Sequence, residues 1–193
     1  MSQATEQRIY TAEEYLELEG SSKERHEYVN GEIKLMTGGT PDHNEIAGNL
    51  LVALKLALRG KPYRVFVTDQ RLWIPAYDLY TYPDVMVVAK PLEFQAGRTD
   101  TLMNPCFIAE VLSKSTQDYD HGEKFTAYRT IPTFQEYLLI DQYSTHVEHH
   151  VKTSPNQWLL SEYESPEVVL SLQALDCQIA IADLYAGLEL DPP

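Results

Sequence analysis

Residues 106–112 read CFIAEVL, an apolar run interrupted by a single carboxylate, Glu110. A short run of this kind, rich in β-branched and aromatic residues, favours a strand. Successive side chains on a pleated strand point to opposite faces, so Glu110 shares a face with Ile108 and Leu112, on the side that would otherwise be core. A lone ionised carboxylate there is costly, and it must be protonated, paired with a cationic side chain or bound to a cation. Any fold that accepts this strand has to supply one of the three.

RVFVTD, QRLWIP and PDVMVVA precede CFIAEVL, giving four successive strands separated by turn signals and by a polar stretch around residues 97–104. Pro83 has no N–H to give a ladder and is confined to a strand's start or edge, which places Asp84 just inside a strand, before Val85, Val87 and Val88. Two of the four strands therefore carry an acid. EYLLID, THVEHHVK and QWLLSEY continue as strands, and Asn30-Gly31 joins strands near 26–29 and 32–36, because both residues tolerate positive φ.

Thr11-Ala12-Glu13-Glu14 has the form of a capping box and opens a short helix. From Pro41, Ile46, Leu50 and Leu54 recur at helical spacing, with Gly60 as a stop. A second helix is expected over residues 120–131, with Phe125, Tyr128 and Ile131 apolar and Pro132 ending it. The C-terminal tail is too evenly apolar for periodicity to separate strand from helix, though IADLYAGL reads as a terminal turn of helix. The content is α/β in the broad sense (α+β), and 193 residues with 44% hydrophobic content suit one domain over residues 1–193.

The net charge of -14 argues against a binder driven by a basic footprint, but it is unevenly spread. Beyond Lys152 there is no Lys or Arg and there are seven acids, Glu162, Glu164, Glu167, Asp176, Asp183, Glu189 and Asp191, so half the net charge lies in the last 41 residues. Lys55, Arg59, Lys61 and Arg64 form the densest basic cluster, at a helix end where cations suit the macrodipole. Two cysteines, Cys106 and Cys177, are too few for a disulfide framework or a four-ligand zinc site, which suits a reducing, cytoplasmic setting. The N-terminus lacks an apolar leader and NLLVALKLAL is short and broken by Lys55, so neither secretion nor membrane insertion is expected.

Asp84 near one strand entrance and Glu110 within the next strand offer hard oxygen ligands for Mg²⁺, or Mn²⁺ in its place, since such ions need few protein carboxylates and keep several waters. The matching chemistry is metal-assisted phosphodiester hydrolysis. A lysine beside the pair would position water or offset transition-state charge, and Lys124 is the candidate. It falls in the first turn of its helix, where the macrodipole disfavours a cation, although an i, i+4 pair with Asp120 would also account for it. Lys114, beyond the strand end, is the alternative. His146, Glu148 and His150 share one strand face and raise a zinc alternative, but i, i+2 neighbours lie about 6.5–7 Å apart, a strain on one ion. Ser113 and Ser115 with His121 lack the elbow a nucleophilic serine needs.

The order Pro83-Asp84, Glu110-Val111-Leu112-Ser113 and YDHGEKFTAYRTIPTFQEYLLID resembles the Uma2 family of restriction endonuclease-like proteins, within the PD-(D/E)xK nuclease superfamily. YTAEEYLELE, HEYVNGEI and HNEIAGNL extend the resemblance over nearly the whole chain. It implies a restriction endonuclease-like mixed sheet flanked by helices, with Asp84 and Glu110 as Mg²⁺ ligands. The superfamily lysine two residues after the acid is replaced by Leu112, and the family resemblance implies that Lys124 takes its place. It also marks Glu27 as an additional acid and His43 as a group near phosphate or water. DNA is the implied substrate and a symmetric homodimer the natural way to reach both strands of a duplex. The competing expectation is a nuclease-like module that binds nucleic acid or a protein without cutting.

Overall fold

The computed structural model describes residues 8–190. Asp191 of the acidic tail and the first residues of the N-terminal stretch lie outside them. Helix α1 (Ala12–Ser21) opens on the expected capping box: Thr11 accepts from the Glu14 N–H, and the Glu14 side chain accepts from the Thr11 N–H. The hairpin of β1 (His26–Val29) and β2 (Glu32–Leu35) turns at Asn30 and Gly31, with φ of 47° and 96°. Helix α2 (Pro41–Ala57) starts on Thr40, whose hydroxyl accepts from the His43 N–H, and buries Ile46, Leu50 and Leu54 completely. Each of those side chains contributes up to about 1.5–3 kcal/mol by leaving water.

The strands divide between two large sheets, a division not readable from the sequence. β3 (Tyr63–Val67), β6 (Val85–Ala89), β8 (Pro105–Leu112), β9 (Glu136–Asp141), β10 (Val147–Ser154) and β11 (Gln157–Tyr163) form one, in the order β11-β10-β9-β8-β6-β3. β8 and β9 run parallel and their neighbours antiparallel, so this sheet is mixed. β1 and β2 join β4 (Arg71–Ile74), β5 (Leu79–Thr81) and β7 (Thr101–Leu102) in a second sheet ordered β2-β1-β5-β4-β7. Thr68, at φ 46°, sits at the bend that carries the chain from β3 into the other sheet. The tail makes a two-stranded hairpin of β12 (Val169–Leu172) and β13 (Cys177–Ala180), then a short helix over Ile181–Leu184, where a helical turn is expected.

The six-stranded sheet is covered on both faces, which explains why β8 is buried along its whole length. Phe107, Ala109 and Val111 pack with α2 and the C-terminal hairpin. Ile108 and Leu112 face the other way, toward Leu72, Ile74 and Leu79 of the second sheet and toward Tyr128, Phe134 and Tyr137. Glu110 belongs to this second face. The helix expected over 120–131 runs instead over 117–128, with a π-helical turn at Asp120–Lys124 in its middle. A π-turn widens the helix locally and re-aims the side chains on it.

Candidate active site

Glu110 has 2% of its surface exposed, and of its expected means of support the structure shows the cationic side chain, Lys124. Oε1 accepts from the Tyr128 hydroxyl at 2.6 Å and from Lys124 Nζ at 3.2 Å. Oε2 accepts from the Asp84 N–H at 3.0 Å. Asp84 lies in the residue before β6 rather than inside it, and its Oδ2 accepts from the Val111 N–H at 2.8 Å. The two acids therefore hold each other's strands: each carboxylate is hydrogen-bonded to the backbone of, or next to, the other. His43, in the first turn of α2, places Nε2 3.1 Å from Asp84 Oδ2.

Lys124 is buried with Nζ 3.0 Å from Asp120 Oδ1 and 3.7 Å from Glu27 Oε1, besides its contact with Glu110. Glu27 stands on β1, in the other sheet, and also accepts from the Thr81 hydroxyl. The structure thus brings Asp84, Glu110, Lys124 and Glu27 together from four separate elements. Lys114 is not among them; it is exposed, beyond the end of β8, with Nζ 5.1 Å from the Tyr143 ring centroid. Two members escaped the sequence reading. Asp120, 2% exposed, appeared only as a helical partner of Lys124, and Tyr128 only as an apolar helix position. A polar Asp preceding Lys by four on a π-turn carries no signal in the sequence that it will be buried.

The charges do not balance. Glu110, Asp120 and Glu27 converge on one lysine, while Asp84, beside Glu110, is paired with His43 at the edge. Burial pushes the Glu110 carboxyl up to about 8, with Asp84 and Asp120 adding to the rise and Lys124 opposing it. The His43 imidazolium is held above its ordinary range, because the Asp84 hydrogen bond and the surrounding carboxylates outweigh the desolvation that acts against it. Desolvation acts against the Lys124 ammonium, but Glu110, Glu27 and Asp120 outweigh it and raise Lys124, so it stays charged. A proton or a cation would relieve the excess negative charge, and the carboxylate oxygens of Asp84 and Glu110 suit hard divalent ions.

Above this cluster opens a cleft of about 850 Å³, lined by Arg25, Thr40, His43, Asp84, Lys114 and Lys124 among others. Ser113 is a hydrogen-bond neighbour of Ser115 and Thr116, while His121 has both ring nitrogens engaged, with the Gln117 carbonyl and Glu148, each at 2.7 Å. These groups form no nucleophile–base pair. Lys61, from the basic cluster, is tied to the Leu175 carbonyl at 3.2 Å and so anchors the C-terminal hairpin.

The Uma2 family model, described as "Putative restriction endonuclease", matches residues 12–182. The chain belongs to the Uma2 family. Within reach of that family are two proteins of Synechocystis sp. (strain ATCC 27184 / PCC 6803 / Kazusa). One, uncharacterized protein sll1609, is 43% identical over 170 residues, covering 87% of this chain and 96% of the relative. The other, uncharacterized protein slr1290, is 34% identical over 176 residues, 91% of each. A crystal structure from Anabaena variabilis ATCC 29413, described as a putative nuclease belonging to DUF820, superposes with a TM-score of 0.74 at 19% identity, covering 92% of this chain and 98% of that one. That likeness shows that this Uma2 chain shares its fold, a mixed sheet flanked by helices, with that protein. No helix among the described residues is long and apolar enough to cross a membrane.

Proposed function

We propose that this Uma2 protein is a divalent-cation-dependent endonuclease that hydrolyses phosphodiester bonds in DNA. The observation that carries this reading is the pairing of buried Glu110 with partly buried Asp84 in the lining of an open cleft, with three carboxylates on one lysine and the fourth, Asp84, beside His43. A protein that only binds has no reason to keep that many acids desolvated. Perturbed carboxylates in clefts are characteristic of active sites. The donor set fits Mg²⁺ or Mn²⁺, which Asp84 and Glu110 would hold; when bound, such an ion activates water and neutralises charge on the phosphate.

The remaining groups have roles that follow from their contacts. Tyr128 and the Asp84 N–H fix the Glu110 carboxylate from opposite sides, so its orientation is set before any ligand arrives. Lys124, kept charged by Asp120 and Glu27, presents an ammonium beside Glu110, where it would position the attacking water and offset charge on the phosphate. Glu27 acts as an additional acid by holding Lys124 in place from the other sheet. His43, steadied by Asp84, would meet a phosphate oxygen at the cleft edge. Arg25 and Lys114 offer the cleft's exposed cations to the nucleic-acid backbone. A symmetric homodimer would bring two such clefts to a duplex.

Nicking of supercoiled plasmid at low salt with Mg²⁺ or Mn²⁺ tests this. Wild type should nick, and EDTA, Asp84→Ala and Glu110→Ala should each abolish nicking. Metal-dependent binding without cleavage of DNA or RNA would favour a nuclease-fold binding module, a reading to which Leu112 in the superfamily's lysine position lends some support.

A further inference from the structure

THVEHHVK places Glu148 and His150 on one face of β10, with His146 in the residue before the strand, but an i, i+2 spacing along one strand is too long for one ion. The structure supplies a closer ligand from the neighbouring strand. Glu148 is the register partner of Glu162 across the β10–β11 ladder, so the two side chains stand on the same face. One ligand atom each from His146, Glu148 and Glu162 lie within 4.8 Å of one another. Among the described residues this is the one such group of three or more. His146 Nε2 is 3.5 Å from Glu162 Oε1, and His150 Nε2 is 3.5 Å from Glu148 Oε2. Both nitrogens are shielded from solvent, and neither makes a hydrogen bond. His121, on helix α3 (117–128), brings a third imidazole to Glu148, 2.7 Å from its Oε1.

We propose that His146, Glu148 and Glu162, with His121 as the nearest further imidazole, form a second cation site of the Zn²⁺ class. Imidazole nitrogen mixed with carboxylate oxygen is the donor set of a borderline transition metal, unlike the oxygen-only set at Asp84 and Glu110. Zinc–ligand distances of about 2.0–2.2 Å put tetrahedral ligand atoms about 3.3 Å apart. Small side-chain rotations on these partly exposed positions close the gap from 4.8 Å or less. The site shares a sheet face with the candidate active site: Glu110, Leu139, Glu148 and Glu162 form one row across β8, β9, β10 and β11. The two clusters are also joined through α3, where one π-turn sends Lys124 to Glu110 and His121 to Glu148. A bound metal would therefore brace the turn that carries Lys124.

The test is Zn²⁺ titration by calorimetry into the full chain carrying Asp84→Asn and Glu110→Gln, which removes the other candidate cation site. One equivalent should bind, and adding His146→Gln or Glu162→Gln should weaken it by roughly 10- to 100-fold or more. Co²⁺ in place of Zn²⁺ should give visible absorption bands lost in the same variants. Circular dichroism melting confirms that each variant folds; a residue that is exposed, as Glu162 is, tolerates the change. Absence of Zn²⁺ uptake by the Asp84→Asn, Glu110→Gln chain, or uptake unchanged by both His146→Gln and Glu162→Gln, overturns the proposal. Neither result bears on the nuclease reading, which rests on different residues.

Discussion

Replacing Glu110 by glutamine should stabilise the metal-free protein at neutral pH. The carboxyl is held at about 8 in the fold against an ordinary 4.5. A raised folded-state value means that stability is fully present below the unfolded pKa and is lost as pH rises through the folded one. At about 1.36 kcal/mol per unit, the acid costs about 3 kcal/mol at pH 7 and about 1 kcal/mol at pH 5.5. Glutamine is isosteric and removes this cost, but its amide cannot satisfy every donor. With oxygen toward Tyr128 and Lys124, its NH₂ opposes the Asp84 N–H, and the flipped amide opposes the other two. One lost hydrogen bond costs about 1–2 kcal/mol. The net is a gain of about 1–2 kcal/mol at pH 7 that vanishes by pH 5.5. Urea unfolding in EDTA at both values measures it, above the sequence pI of about 4.7 so that the chain stays soluble. Destabilisation of similar size at both pH values would refute the reasoning and make Glu110 a structural ion-pair partner of Lys124.

Lys124→Met leaves buried Asp120 and Glu27 without their cation and should cost about 3–5 kcal/mol in urea unfolding. In the plasmid assay at saturating metal it should slow nicking by about 10²- to 10³-fold, the usual loss for a preorganised charge-stabilising donor. In EDTA-treated protein, His43 should titrate by NMR above its ordinary 6.5, and Asp84→Asn should bring that midpoint down. The linked stabilisation is present below 6.5 and lost as pH rises through the folded value, so the variant should also flatten the stability slope in that window. Gly39→Ala should act on the same group, because a Cβ there would lie 2.7 Å from His43 Nδ1. Its expected mark is a lowered His43 midpoint with the Glu110 neighbourhood unchanged in NMR shifts.

Local features were legible because local chemistry decides them. The Thr11 capping box, the Asn30-Gly31 turn and the start of α2 at Pro41 each rest on residues within four positions. Strand existence was legible too for all but β5, β7 and the tail strands β12 and β13, but strand partnership was not. RVFV and RLWI look alike in sequence, yet the bend at Thr68 sends them to different sheets, and Leu79–Thr81 reads only as a lead-in to Asp84 although it pairs both β1 and β4. Glu110 announced itself as an acid in an apolar run. Asp120 and Tyr128 did not, because a π-turn and a hydroxyl at the end of an apolar ring become visible only in three dimensions. Glu162 illustrates the same limit: a cross-strand partner of Glu148 is set by register, which one strand's sequence does not contain.

Mg²⁺ calorimetry on wild type and Glu110→Gln, run in buffers of differing ionisation enthalpy, tests the central claim most directly. A cation held by Asp84 and Glu110 has to compete with the protonation of Glu110 that burial favours. Wild type should therefore bind Mg²⁺ with release of protons at pH 7, and the glutamine variant should neither bind nor release. Equal binding by the two proteins, or binding by wild type with no proton released, would contradict the account.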